Sequence, residues 1–123
     1  SKVRVLVLMS SPKQYASNVM VAYRKSLLHK EPFDITRIST NVDQGAASAN
    51  AQLRALASEL PNVVFVDRSS MFLLDGQPSD LTASGVPFSW DGAHISIYGS
   101  KQAAPNFLNS DAYQDFKAKL SRH

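Results

Sequence analysis

Two short runs, VRVLVLM at residues 3–9 and NVVFVD at residues 62–67, carry apolar side chains at consecutive positions. Successive strand residues point to opposite faces, so a run without alternation needs both faces covered. A parallel sheet flanked by helices supplies that cover. No other feature of the chain constrains its fold as strongly, and both runs read as strands buried on both sides.

Between and after these runs the period changes. Val19, Ala22, Tyr23 and Leu27 recur at helical spacing over residues 18–29, with Asn18 as cap and Pro32 as stop. Ala49, Leu53, Leu56 and Leu60 mark one stripe of a second helix, expected from near Asp43 to Leu60. Gly45 weakens its first turn and Pro61 closes it. Residues 33–42 read as an irregular connection with a short extended piece at DITRIS. A long polar passage holding two Gly and two Pro follows Asp67, and connections of this length inside a domain are usually functional. A helix starting near Ser96 or Gly99 runs past Pro105, and SDAYQDFKAKL forms another.

Strands alternating with helices imply α/β layering with right-handed crossovers. The 123 residues make one domain, read as a single α/β unit over 1–123. Two strands are few against a usual sheet of about five or six. The expectation is therefore one part of a larger sheet.

Composition narrows the function classes. Hydrophobic residues at 44% and charged residues at 19% are those of a globular chain that buries a core. The net charge of +3 is scattered, with no basic run longer than Arg24-Lys25, which argues against nucleic acid as a partner. Without cysteine there is no thiolate metal site and no cysteine nucleophile. The longest apolar run, residues 5–9, is too short to span a bilayer. No signal peptide is visible, and the chain opens directly on a strand, as a trimmed piece would.

The segment WDGAHISIYGS, residues 90–100, concentrates the chemistry. Residues three apart on a tight turn share one side, so the Asp91 carboxylate can bond the near nitrogen of His94 and fix its tautomer. The far nitrogen is then free to act as a general base. Gly92 permits the backbone such a turn needs. Two other readings stand beside this one. Asp91 can simply cap a helix beginning near His94, or the two residues can be metal ligands. His29 and His123 lie at a helix end and at the terminus, no third ligand is apparent, and no metal or other cofactor is expected.

DGAHIS-IYGS resembles the final block of the SGNH/GDSL hydrolase superfamily, where a D-x-x-H turn supplies the Asp and His of a Ser-His-Asp triad. The order of VLVLMSSP, a helix, NAQLRALASELPNVVFVDRSSMF, a loop and WDGAHISIYGS is similar to the C-terminal part of the SGNH domain of membrane-bound acyltransferases that O-acetylate bacterial surface polysaccharides. The resemblance implies a three-layer, flavodoxin-like parallel sheet, with only its C-terminal portion in this chain. It implies Asp91 as the orienting carboxylate, His94 as the general base and Trp90 as a wall of the substrate pocket. Ser96 and Gly99 would be structural. It further implies a polysaccharide or acyl-ester substrate, an N-terminal segment or membrane acyltransferase domain as partner, and a periplasmic location, as part of an inner-membrane protein.

The chain also departs from that pattern. It contains no Gly-Asp-Ser tripeptide for the nucleophile, and Asn41 and Asn50 lack the preceding Gly of the family's oxyanion block. Ser10 and Ser11 follow the first strand, where a nucleophile can sit, and turn formation with Pro12 is their alternative role. Asp67, Asp75 and Asp80 are alternative carboxylates, with strand termination and turn chemistry as their plainer readings. Three functions follow as expectations. The first is an esterase or O-acetyltransferase whose serine lies outside this chain. The second is a non-catalytic α/β module that binds glycan or a partner. The third is a phosphate-handling flavodoxin-like domain, ranked last because SSPKQYASN has no glycine for close approach to an anion.

Overall fold

The computed structural model describes residues 4–41 and 44–122. Its central unit is the strand pair β1 (Leu6–Met9) and β4 (Val63–Val66), parallel as the unalternating sequence requires. The register runs from Leu6 opposite Val63 to Met9 opposite Val66. Two two-stranded antiparallel ladders accompany it, β2 (Gln14–Tyr15) with β3 (Thr40–Asn41) and β5 (Leu73–Leu74) with β6 (Gln77–Pro78). Four helices complete the chain: α1 (Val19–His29), α2 (Gln44–Glu59), α3 (Ile97–Leu108) and α4 (Asp111–Ser121).

Local chemistry sets the helix ends close to where the sequence places them. The Asn18 side chain accepts the Val21 N–H at 2.9 Å, and the left-handed Lys30 closes α1 through bonds to Leu27 and Ser26. Ser96 caps α3 and Ser110 caps α4. Asp43, expected at the start of α2, lies outside the described residues, as do Val42 and His123. The DITRIS piece is a 3-10 turn at Ile35–Arg37 rather than a strand, because the Asp34 carboxylate accepts the Thr36 N–H and starts a turn. Asp75 and Gly76, at φ 51° and 75°, form the two-residue turn between β5 and β6, a geometry that Asp-Gly favours.

Burial departs from expectation at the strands. Val63, Val64 and Val66 of β4 are 2%, 1% and 1% exposed, because α2 and α4 pack against that strand. On α4 the Lys119 ammonium donates to the Val63 carbonyl at 2.7 Å. In β1, Leu6, Val7 and Met9 are 46%, 39% and 50% exposed. The expectation that β1 is buried on both sides is thus corrected: among the described residues its only ladder partner is β4. The predicted stripes shift as well. Leu27, Leu56 and Leu60 are exposed, and α2 turns Ala57 inward instead.

A second apolar cluster joins Tyr15, Val19 and Ile35, flanked by Phe33, Ile38 and Leu81. It welds β2 and α1 to the long loop, and the site is hung on this weld.

Candidate active site

The turn at Trp90 to His94 is fixed from three directions. Its stem is closed by the Ser89–Ile95 bridge and by the Trp90 N–H donating to the His94 carbonyl at 2.7 Å. From β2 the Tyr15 N–H donates to the Gly92 carbonyl at 2.9 Å, and from α1 the Met20 N–H donates to the Trp90 carbonyl at 2.9 Å. From within, the Ser89 hydroxyl accepts the Gly92 N–H at 3.1 Å. Glycine is needed at position 92 on two counts. Its φ is 112°, and a Cβ there would sit 2.9 Å from the Tyr15 carbonyl oxygen.

Below the turn, Ser96 accepts the Gly99 N–H at 2.9 Å and donates to the Pro87 carbonyl at 2.7 Å. A Cβ on Gly99 would lie 2.6 Å from the Phe88 carbonyl oxygen. The S-x-x-G spacing therefore brings the start of α3 against the strand-like segment that leads into the turn.

These constraints place Asp91 and His94 together. One carboxylate oxygen of Asp91 accepts the N–H groups of Ala93 and His94 at 3.0 and 2.9 Å. The other lies 2.8 Å from His94 Nδ1. Those two backbone bonds, followed by the bond to the imidazole, hold the Asp91 carboxyl well below the usual carboxylate range. An ionised Asp91 at Nδ1 selects the tautomer with its proton on Nδ1, leaving Nε2 with a lone pair. The His94 side chain is 80% exposed. The helix after the turn starts at Ile97 under the Ser96 cap, so Asp91 caps the turn itself and not a helix at His94.

The other sequence candidates lie elsewhere. The Ser10 hydroxyl accepts the Arg68 N–H at 2.8 Å and donates to Asp67 at 3.3 Å. The Ser11 N–H is bound by the Asn50 side chain at 3.0 Å, which gives Asn50 a structural task on α2. Among the described residues no hydrogen bond joins Ser10 or Ser11 to His94. Asp67 caps the 3-10 turn Arg68–Met71 and pairs with Arg54 at 3.1 Å. Burial pushes its pKa up, but the Ser69, Ser10 and Arg54 bonds outweigh this and leave it lowered. Asp75 serves the β5–β6 turn. His29 is exposed at the end of α1. Trp90 sits on the α1 side of the turn with the Arg24 guanidinium 4.9 Å from its ring centre, and it is 38% exposed. Among the described residues no three His, Asp or Glu side chains cluster as a metal site.

A pocket of about 30 Å³ opens beside His94, with Phe72, Phe88 and Ile95 as apolar walls and Lys13, Arg68 and Asp80 as charged ones. Lys13 binds both Asp80 oxygens, at 3.0 and 2.9 Å, and its ammonium lies 5.3 Å from the Tyr15 ring centre. Burial, then Asp80, pushes the Tyr15 phenol above its ordinary range. Asp80, an alternative carboxylate in the sequence, is thus committed to Lys13, while Arg68 escapes notice there because a strand end accounts for it equally well.

The chain thus presents a carboxylate-bound imidazole on a braced turn beside a small parallel sheet. The family described as SGNH domain (fused to AT3 domains) matches residues 1–109, nearly nine-tenths of the chain, and the chain belongs to that family. Membership gives it a hydrolase- or acyltransferase-related function. The match stops before α4, the helix that covers β4. No curated protein and no solved structure matches the chain. No helix among the described residues is long and apolar enough to cross a membrane.

Proposed function

We propose that this chain supplies the Asp and His of a Ser-His-Asp apparatus that hydrolyses an ester or transfers an O-acetyl group to a surface polysaccharide. The carrying observation is the 2.8 Å contact between Asp91 and His94 Nδ1, which leaves Nε2 facing outward with a lone pair. The serine comes from sequence outside these residues, in keeping with the engagement of Ser10 by Asp67 and Arg68. His94 Nε2 takes the serine proton as the serine oxygen bonds the acyl carbon. The ester C–O bond then breaks, and Nε2 returns the proton to the leaving oxygen. A sugar hydroxyl or water next gives its proton to Nε2, attacks the acyl-serine and frees the serine. The partner is a membrane acyltransferase domain, and the reaction runs on the periplasmic side.

Fluorophosphonate labelling of the full-length protein with peptide mass spectrometry tests this, using His94→Ala as the control. An adduct on a serine outside these residues that is lost in the control supports the reading. An adduct on Ser10 or Ser11 overturns the external serine. Among the described residues no serine hydroxyl bonds the His94 imidazole, Ser89 reaching only the His94 carbonyl at 3.4 Å, which favours a second reading, a glycan-binding module without turnover. No adduct in either protein, with the fold intact, is the outcome that reading expects.

A further inference from the structure

We infer that Arg68 makes the site selective for a sugar that carries an anionic group, a carboxylate or a phosphate ester. The inference rests on the reading above only in naming that sugar as the acyl acceptor or donor.

The argument is one of charge. Lys13 and Asp80 neutralise one another in the pocket wall, and the Asp91 carboxylate is committed to the turn and His94. The neighbouring Asp67 is bound by Arg54, Ser10 and Ser69. Arg68 also lines the pocket, yet it takes part in none of the ion pairs among the described residues. The wall beside His94 therefore carries one unmatched guanidinium. Its planar fork fits a carboxylate or phosphate with two parallel bonds, stronger than those between neutral groups.

Shape agrees with charge. The pocket beside His94 is the narrower of two adjoining spaces. A groove of about 270 Å³ continues from it, sharing Lys13, Phe72, Ser79 and Asp80 and adding Ser69 and Pro78. Phe72 offers an apolar wall to a ring, while the Ser69 and Ser79 hydroxyls donate to Asp67 and to the Leu81 carbonyl. A ring in the groove brings its substituents to the pocket that Arg68 and His94 share.

The test is an amide-shift titration of the ¹⁵N-labelled protein with methyl glucuronoside, glucose 6-phosphate and neutral methyl glucoside. An anionic sugar should shift Lys13, Arg68, Ser79 and His94, with the glucoside at least tenfold weaker; whichever of the two anionic sugars binds more tightly identifies the group. R68Q should weaken that binding tenfold or more, since a bond to a charged group is worth about that much. R68K should retain part of it. Binding is read from amide shifts and not from turnover, so this inference survives even where turnover does not. Equal affinity for the glucoside, no binding of either anionic sugar, or unchanged binding in R68Q overturns it. The Ser10–Arg68 bond uses the backbone N–H and persists in these variants.

Discussion

β1 and β4 are neighbours with nearly interchangeable sequences, LVLM and VVFV, yet one is the most buried element of the molecule and the other among its exposed ones. The ladder between them is shared, so hydrogen bonding does not separate them. Cover does: α2 and α4 pack on β4, while β1 keeps a bare edge. The accessible surface totals 8215 Å², against roughly 6,500 Å² for a compact monomer of 13.5 kDa. Uncovered apolar side chains of β1 and α1 contribute to that difference. The same division runs through the site. Asp91 is gripped by three bonds, whereas His94 turns an open side to solvent. In this molecule β4 and Asp91 are covered or bound by the chain's own residues, while β1 and His94 face solvent.

The largest effect that would break this comparison belongs to the gripped side. Asp91→Asn keeps the oxygen that caps the turn but sets an amide N–H against Nδ1, forcing the proton to Nε2. Turnover should fall about 10²–10⁴-fold, with the tautomer change visible in long-range ¹⁵N spectra. Loss of turnover with an unchanged tautomer would refute the orienting role. In acid the same carboxylate gives a second check. Its folded pKa is depressed, so its stabilisation is present above the usual carboxylate range and lost as pH falls below it. Acid unfolding of Asp91→Asn should lack that component.

Next comes Gly99→Ala. The added Cβ meets Phe88 backbone at 2.6 Å, so urea melts should show a loss of about 3 kcal/mol, the upper end for overpacking. Val64→Ala removes two buried methyl groups and should cost about 2 kcal/mol. Tyr15→Phe removes the buried phenol beside Asp80, for about 1 kcal/mol. Because the phenol's folded pKa is raised, this stabilisation is present below about pH 10 and disappears as pH climbs through the raised value. An absorbance titration against Tyr15→Phe isolates it. Val7→Ala is the smallest, within about 0.5 kcal/mol. A cost equal to that of Val64→Ala would mean that β1 is covered after all, and the contrast between the strands would fail.

The sequence by itself determined what depends on neighbours along the chain. The apolar runs that become β1 and β4, the caps Asn18 and Ser96, the Asp-Gly turn and the Asp91–His94 contact all arise within a few residues, where backbone sterics and short side chains decide. Tertiary structure alone decided which apolar faces are covered. Hydrophobicity says that a side chain can be buried, not that another element reaches it, so β1, Leu27 and Leu56 read as core and lie exposed. It also decided which charges meet. Lys13 reaches Asp80 across 67 positions and Arg68 has no ion pair among the described residues, an outcome set by how the long loop folds back and not by any local pattern.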